Sequence, residues 1–436
     1  MKKKVGNTRW GIVSLIGLGG IVNVFDRTNM SVAAGALMQE YDLTKMQMGV
    51  IFSAFAWSYA VMQIPIGLML DRIGIKWIMR AATLLWAIAT FMTAIVSGMG
   101  LIILSRLVLG AAESPMFPSA SKATGYWFPI KERGLATTIF DASVRFSNVI
   151  GVPIVAWAVM QWGWRGGFFL TAILSLCYAI LYWIFYRDPK EATFLSKEEH
   201  QYIIEGGAQL DEKPSSGAIR NLGFILRQRK IWGLSIGYAA YSYSFYLFIT
   251  WLPGYLETQM HMSVLKSGFY TVIPWIFATI FDILIAGWLV DRLIAKGYEG
   301  TKVRKALLVA GMIMGLVVAG TAFTNNPQIA ITCITISLSG LSFSAGVAWS
   351  IPSLIAPKGT VGTVSSIMNF CGNIMGICAP IITGVIAGNT GSFAFGFLVS
   401  ALVLIVGILC YTFLLGRIEQ ISSPFISQRG IMGLTL

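Results

Sequence analysis

The chain has 436 residues, of which 56% are hydrophobic and only 12% are charged. Soluble domains carry about 25% charged residues, so too little charge is present to cover a water-facing surface, and most of the surface must face lipid. The net charge of +13 does not indicate nucleic-acid binding, because apolar runs separate the basic residues into short clusters, as in loops held against an anionic leaflet.

Apolar runs bounded by charge, Gly or Pro predict twelve membrane-spanning helices, each built on the run of about 20 apolar residues that a span requires. The predicted limits are 11–38, 46–70, 77–97, 100–126, 134–161, 166–187, 232–258, 265–292, 306–323, 328–354, 361–388 and 392–416. The expected fold class is therefore an all-α membrane protein. We refer to these segments as helices 1 to 12.

Positive charge decides the predicted orientation. With the N-terminus in the cytoplasm, 26 of the 32 Lys and Arg residues fall in cytoplasmic segments and three lie inside helices, so only Lys45, Arg165 and Lys266 fall outside. Such an excess is typical of cytoplasmic loops. We expect a multi-pass protein of the bacterial cytoplasmic (inner) membrane with both termini in the cytoplasm.

One long polar stretch separates two sets of six predicted helices. Within it, Ser196 and Glu199 have the spacing of a capping box for a short surface helix through Ile204. The predicted domains are a six-helix bundle over 1–187, a cytoplasmic linker over 188–230 and a second six-helix bundle over 231–436.

Two short patterns recur between the halves. A Pro and a Gly five residues apart occur in loop 4–5 and again, 228 residues later, in loop 10–11. Repeated halves are what alternating access requires, because each half moves as a unit around a central site, whereas a channel has no such requirement. The pattern Gly-x-x-x-Asp-Arg occurs in loop 2–3 and 220 residues later in loop 8–9, as Gly67, Asp71, Arg72, Gly287, Asp291 and Arg292.

The loop 2–3 pattern carries a resemblance to a known family. Residues 67–76, Gly-Leu-Met-Leu-Asp-Arg-Ile-Gly-Ile-Lys, resemble a signature of the major facilitator superfamily, although that signature usually continues Arg-Lys or Arg-Arg after its last Gly. The superfamily fold is twelve helices in two six-helix pseudo-repeat bundles. The resemblance implies that fold here.

Other segments resemble the anion:cation symporter family within that superfamily. The family includes bacterial hexonate, hexuronate and glucarate permeases and the sialin and vesicular glutamate carriers, and the similarity covers nearly the whole chain. It is carried by Phe25-Asp26-Arg27-Thr28-Asn29, by 52–65, by Arg106-x-x-x-Gly110-x-x-Glu113-Ser114-Pro115, by Trp127-Phe128-Pro129 and by Thr250-Trp251-Leu252-Pro253.

Seven ionisable residues stand well inside the predicted helices, where a charge is costly unless it is paired or hydrated. Each is a functional candidate, and the alternative is a closed ion pair that only fixes helix packing. They are Asp26, Arg27, Arg106, Glu113, Asp141, Arg145 and Asp282.

The first four of these predict an anion site. Arg106 and Glu113 are two turns apart on one face of helix 4, roughly 10 Å and too far for a direct bond. The adjacent side chains of Asp26 and Arg27 point roughly 100° apart, so all four need partners on other helices or on a ligand. We expect Arg27 and Arg106 to face a ligand carboxylate, which a guanidinium binds bidentately. Asp26 and Glu113 are then the protonatable acids, and the resemblance implies the same roles.

Proton coupling through histidine is not expected, because His200 and His261 both lie in predicted loops. Carboxylates must carry it, and desolvation in the apolar interior favours their neutral form. Substrate binding would then change the proton affinity of these carboxylates, and this linkage would couple substrate transport to proton transport. Sodium in place of protons and the direction of transport stay open.

A second set of charges predicts a gate between the halves. Arg145 on helix 5 and Asp282 on helix 8 lie at similar depths, roughly 18 and 15 Å from the charged ends of their helices, and the resemblance places these helices opposite each other. We predict an ion pair between them, with a local pair of Arg145 and Asp141 as the alternative. The loop residues predicted to latch the same side are Asp71, Arg72, Asp291 and Arg292.

Uncharged polar side chains predict the rest of the substrate site. Buried amides and phenols need partners, and a polyhydroxylated ligand supplies many, so a sugar acid is favoured over an aliphatic or aromatic acid. Tyr59 and Gln63 share one face of helix 2. The predicted substrate-binding residues are Tyr59, Gln63, Trp349 and Asn369, ahead of the helix 7 tyrosines Tyr238, Tyr241, Tyr243 and Tyr246.

Other functions are less well supported. One alternative is an exchanger of organic phosphate for phosphate. Pure exchange needs no titrating acid, so the four membrane carboxylates argue against it. A carrier of an aromatic or other carboxylic acid is a further alternative. An enzyme is not expected, because no metal cluster or catalytic triad is recognisable and the five cysteines form no metal or disulfide pattern. A sensor would carry a larger soluble segment. We expect a monomer without cofactor or metal, whose partners are a small organic anion, protons or sodium, and the lipid bilayer.

Overall fold

The computed structural model describes residues 6–208, 223–357 and 361–421. Throughout these ranges the secondary structure is helical, without strands. We label the twelve long helices α1 to α12 and call the short helix of the linker the surface helix. Nine segments of the described chain are long and apolar enough to span a membrane by length and composition alone.

The first half contains six helices. One of them is interrupted after Glu113, and two others are joined through a kink at Gly163. At Gly163, where φ is 69° and ψ is 177°, the chain turns sharply in a conformation that almost only glycine adopts. The predicted loop between helices 5 and 6 is therefore reduced to a kink. The helices are α1 (Thr8–Glu40), α2 (Lys45–Ile73), α3 (Ile75–Ile95), α4 (Met99–Trp127, interrupted after Glu113), and α5 and α6, which are the parts of Ile130–Phe185 before and after Gly163.

The second half repeats this arrangement. The eighth helix of the chain, the second helix of this half, contains a π-helical stretch, Asp282–Leu289. Such stretches are frequent at functional sites. The helices are α7 (Arg229–Thr258), α8 (Val264–Ala295), α9 (Gly300–Phe323), α10 (Pro327–Ser350, followed by the short turn Pro352–Ile355), α11 (Val361–Thr390) and α12 (Ala394–Leu414).

The surface helix, Lys197–Glu205, begins as predicted. Ser196 is its N-cap and accepts a hydrogen bond from the Glu199 backbone nitrogen at 3.2 Å. The Glu199 carboxylate does not complete the capping box. It accepts from the backbone nitrogens of Thr8 and Arg9, both at 3.1 Å, where the positive end of the α1 dipole favours an anion. The linker is thereby fastened to the start of α1.

Each half packs as a bundle, and the halves meet along three helix pairs. In the first half α1 packs on α5 and α6, and α4 packs on α2 and α3; in the second, α7 packs on α11 and α12, and α10 packs on α8 and α9. Between halves, α1 faces α7, α2 faces α11 and α5 faces α8. The predicted domain limits stay a prediction, because residues 209–222 of the linker lie outside the described ranges.

The halves touch closely at the end of the bundle that carries loops 1–2 and 7–8. A Cβ on Gly49 would lie 2.5 Å from the Pro380 carbonyl oxygen, so α2 and α11 approach backbone to backbone. On the neighbouring pair, Ser31 of α1 donates a hydrogen bond to the carbonyl of Thr250 on α7 at 2.6 Å. Together these contacts close that end of the interface.

Candidate functional site

Gly110 determines how α4 approaches the centre of the first half. A Cβ at this position would overlap the carbonyl oxygen of Phe55 and the hydroxyl of Ser58 on α2, so α4 and α2 touch only because the side chain is absent. Arg106 and Glu113 lie four residues before and three residues after Gly110, which carries both towards α1 and the ring of Phe55.

Arg27 and Glu113 form the ion pair at the centre of the site. Arg27 Nε donates to Glu113 Oε2 at 3.2 Å, and Nη2 donates to Asn23 Oδ1 at 2.9 Å. The guanidinium carbon lies 4.5 Å from the ring centre of Phe55 and 5.0 Å from that of Tyr59, within cation–π range. Glu113 is fully buried, whereas the Arg27 side chain is 16% exposed. Arg27 is thus the charged group of this pair that a ligand could reach.

Arg106 supplies a second guanidinium beside the first. It is 3% exposed, its carbon lies 5.2 Å from the Phe55 ring centre, and Nη1 donates to the backbone oxygen of Asp26 at 3.3 Å. Among the described residues, its Nε has no hydrogen-bond partner. A guanidinium has five donors, so Arg106 retains capacity for an anion. Both guanidinium groups therefore lie against the ring of Phe55.

Asp26 makes its side-chain hydrogen bond outside this cluster. Its side chain is fully buried, and Oδ2 accepts a hydrogen bond from Ser175 of α6 at 3.0 Å. Oδ1 has no hydrogen-bond partner in the described part of the chain. The sequence predicts a single pocket shared by four charged side chains. In the structure, Arg27, Arg106 and Glu113 are together, and Asp26 hydrogen-bonds to α6 while remaining within electrostatic range of Glu113 and Arg106. The shared site stays a prediction.

The second half contributes neutral polar groups. Tyr246 of α7 donates to Asn373 Oδ1 of α11 at 3.1 Å, and Tyr246 lies close enough to Arg27 to interact with it electrostatically across the halves. Asn373 Nδ2 is buried without a partner among the described residues. The sequence prediction places Tyr246 behind Asn369, and the substrate role of both residues stays a prediction. The four-residue spacing of Asn369 and Asn373 places both on one face of α11.

The structure places the remaining predicted substrate residues as follows. Tyr59 is buried and its ring covers Arg27, as described above. Gln63 is half-buried, and its Nε2 has no hydrogen-bond partner within the described ranges. Trp349 is 44% exposed and donates to the Tyr238 hydroxyl at 3.2 Å. Asn369 is half-buried on α11, one turn before Asn373. Their role in substrate binding stays a prediction.

The predicted gate lies largely outside the described side chains. Asp282 is 9% exposed at the start of the π-helical stretch, and its Oδ1 lies against Gly346 of α10. Arg292 is exposed, with its guanidinium 4.6 Å from the Trp288 ring centre. The gate therefore stays a prediction. The side chains outside the described set are those of Asp71, Arg72, Asp141, Arg145 and Asp291.

Two polar groups near the centre or the closed end were not singled out from the sequence. Asn23 lies one turn before Arg27 on α1 and accepts a hydrogen bond from its guanidinium. The four-residue spacing of these two polar residues in an apolar helix is the sequence pattern that indicates the contact. Glu257, near the end of α7, is half-buried and accepts from the Ser267 hydroxyl of α8 at 3.0 Å. It lies one residue before the predicted end of helix 7, Thr258, and so at the edge of the membrane span where a charge is least costly.

Comparison with solved structures identifies the same fold. A bacterial homolog of the human lysosomal transporter Spinster, in an inward-facing, unoccupied conformation, aligns with a TM-score of 0.76 at 17% identity, covering 97% of this chain and 100% of that one. A D-xylose-proton symporter aligns with a TM-score of 0.72 at 15% identity, covering 95% of this chain and 99% of its own. At these identities the likeness shows the fold alone.

Sequence comparisons show the family. The chain is 40% identical to the uncharacterized transporter YybO of Bacillus subtilis, over 96% of this chain and 97% of that protein. It is 29% identical to a D-galactonate transporter of Escherichia coli, over 96% and 98%, and 30% identical to the probable galactarate/D-glucarate transporter GarP of Escherichia coli, over 96% and 97%. The Major Facilitator Superfamily model matches residues 16–380. The predicted resemblance is confirmed: the chain belongs to the major facilitator superfamily and is a multi-pass membrane transporter of twelve helices, not an enzyme.

Proposed function

We propose that this transporter imports a sugar acid of the hexonate, hexuronate or glucarate type by proton symport and alternating access. It would do so in the cytoplasmic membrane, with both termini in the cytoplasm. The observation that carries the proposal is the partly exposed guanidinium of Arg27, paired with the buried Glu113 and flanked by Arg106. Relatives named as D-galactonate and galactarate/D-glucarate transporters support the substrate class.

Substrate binding and protonation are linked through Arg27. A substrate carboxylate that takes the guanidinium competes with Glu113 for the same donors. A buried carboxylate that loses its cationic partner costs about 3–5 kcal/mol, unless it takes up a proton. Binding of the anion therefore favours protonation of Glu113, and protonation of Glu113 frees Arg27 for the anion. This reciprocity is the proposed coupling step.

Hydroxyl recognition belongs mainly to the second half in this mechanism. The Tyr246 hydroxyl and the Asn373 amide provide both donors and acceptors, and Tyr246 lies within electrostatic range of Arg27 across the interface. A polyhydroxylated acid held by the arginines can engage these groups from the other side. Its binding would draw the two halves together around it, as closure of the site requires.

A wider anion range is the second candidate. The chain is 31% identical to the probable sulfoacetate transporter SauU of Cupriavidus necator, over 95% of each chain, and a sulfonate offers the same anionic oxygens to two guanidinium groups. An exchanger of organic phosphate for phosphate also uses arginines. The buried acids argue against the exchanger, because pure exchange needs no titrating group.

Uptake by reconstituted protein separates these possibilities. Proteoliposomes are given labelled galactonate or glucarate under an inward proton gradient, under an equal sodium gradient, or with phosphate inside and no gradient. We expect accumulation above equilibrium with the proton gradient alone. Accumulation only with the sodium gradient would show that sodium, and not the proton, is the coupling ion. Uptake that requires internal phosphate would favour the exchanger. Sulfoacetate as competitor tests the wider anion range.

A further inference from the structure

We propose that the hydroxyls of Thr90 on α3 and Ser175 on α6 are positioning groups that allow Asp26 to release and regain its proton inside a closed site. We call them the hydroxyl pair. The inference deepens the proposed function, because it concerns the acid that is predicted to take part in proton coupling. It assigns the setting of proton affinity to two neutral side chains that touch no substrate-binding residue in the described contacts.

The geometry around Asp26 is that of a sealed polar site. Asp26 and Ser175 are fully buried, and Thr90 is 1% exposed. Ser175 Oγ donates to Asp26 Oδ2 at 3.0 Å, and the hydroxyls of Thr90 and Thr171 lie near the same carboxylate. The Thr171 hydroxyl is already bonded to Asn29 and to the Phe168 carbonyl. Within the described chain, Asp26 Oδ1 and Thr90 Oγ1 are both buried without a hydrogen-bond partner. Buried polar oxygens are normally hydrogen-bonded, so these two unpartnered atoms leave the Thr90 hydroxyl free to bond the carboxyl group of Asp26.

The charged groups around Asp26 make no hydrogen bond to its carboxylate. On α4, Arg106 donates to the backbone oxygen of Asp26 and not to its carboxylate, and Glu113 is bound by Arg27. On α6, the Tyr178 hydroxyl lies against Gly19 of α1 and has no hydrogen-bond partner among the described residues. No described cation is hydrogen-bonded to the Asp26 carboxylate, although Arg106 lies within electrostatic range, so the hydrogen bonds of a charged Asp26 come from neutral donors.

Hydroxyls suit an acid that must exist in both forms. A hydroxyl can donate to a carboxylate and can accept from a carboxylic acid, whereas an arginine or lysine satisfies only the anion. Bonds to the charged form are the stronger ones. Loss of either hydroxyl should therefore weaken the anion more than the acid, and Asp26 should keep its proton to higher pH.

The test follows the Asp26 proton directly. Infrared difference spectra of the purified transporter in lipid, recorded over a pH series, show the carbonyl band of a protonated carboxylic acid, and loss of the band in D26N assigns it to Asp26. We expect T90V and S175A each to move the midpoint of this band upward by about one pH unit, a tenfold change in proton affinity. T90S should restore the original midpoint.

A matched control lies one turn further along α3. Thr93 is equally buried, but its hydroxyl donates to Ala89 O and Ser105 Oγ, so T93V should leave the midpoint unchanged. An assigned band with the same midpoint in wild type, T90V and S175A would overturn the inference, and so would the absence of any titration of Asp26. If the band shifts as expected while uptake is insensitive to the proton gradient, the hydroxyl pair stands and the proposed symport fails. Should T90V not fold, S175A with S175T as its rescue gives the same comparison.

Discussion

The interiors of the two halves differ in the kind of polarity they present. Around α1 and α4 of the first half, the described central groups are charged: Arg27 with Glu113, Arg106 beside them and Asp26 behind. Facing them, the described central groups of the second half are neutral, with Tyr246 bonded to Asn373. Although the halves repeat in sequence and helix order, they are not equivalent in chemistry. The difference teaches that two halves with the same helix order can place different chemistry on the two sides of one central site.

The largest effect is expected from removing the guanidinium of Arg27. R27M leaves Glu113 buried without its cation, which should lower the free energy of unfolding by about 3–5 kcal/mol. Loss of the ligand contact should lower uptake by about 100-fold or more, equivalent to about 3 kcal/mol. Thermal unfolding and sugar-acid uptake measure the two effects separately.

The double variant R27M/E113Q tells these two effects apart. It removes the stranded charge, so its thermal stability should return towards that of the wild type while uptake stays absent. Uptake by the double variant would show that Arg27 serves packing alone and would leave Arg106 as the anion-binding arginine.

The next effect concerns the coupling acid. E113Q keeps an oxygen that can accept from Arg27 Nε but cannot titrate, so the linkage between anion binding and protonation is lost. We expect accumulation driven by the proton gradient to fall to the equilibrium level. Exchange of labelled for unlabelled substrate should continue, because it requires no net proton movement. If E113Q still accumulates substrate under a proton gradient, Glu113 is not the coupling group.

Variants of the second half should weaken binding without changing coupling. Y246F and N373A each remove hydrogen bonds worth about 0.5–1.5 kcal/mol, so the affinity for galactonate should fall by up to about tenfold. The affinity for a short carboxylate without hydroxyls should hardly change, and the pH dependence of uptake should remain that of the wild type. A changed pH profile in either variant would mean that the neutral half also takes part in proton coupling.

Sequence patterns predicted the fold more completely than the site. Apolar runs predict α1 within three residues at its start and two at its end, because lipid contact imposes a strong pattern on composition. The break at Gly163 was harder, since a glycine in an apolar run does not reveal that it takes a positive φ. Helical spacing correctly required partners for Arg27 and Glu113 on other helices. It could not identify those partners, because the distance between helices depends on positions such as Gly110, where the missing side chain lets α4 meet α2.

Asp26 and Glu199 show the same limit. The angle between neighbouring side chains on α1 was predictable, but the side of α1 on which Ser175 lies depends on how α6 packs. Likewise the spacing of Ser196 and Glu199 predicted a helix start, and the Ser196 cap is confirmed. The Glu199 carboxylate binds the start of α1 instead, because a buried pair of backbone donors there competes with the local N-cap. Local patterns predict that a polar group needs a partner, and tertiary packing selects which one.

The smallest effect is expected at Asn369, where the sequence predicts a substrate contact and the structure shows a half-buried side chain one turn from Asn373. N369A should leave the free energy of unfolding within about 0.5 kcal/mol of the wild type, since a partly exposed amide carries little packing. If the amide binds a substrate hydroxyl, the affinity should fall about three- to tenfold, the loss of one hydrogen bond. A thermal-shift titration with galactonate measures this, because ligand stabilisation depends on the dissociation constant. An unchanged dissociation constant would leave Asn373 as the α11 residue that binds substrate hydroxyls. The second half would then contribute fewer substrate contacts than its sequence predicts.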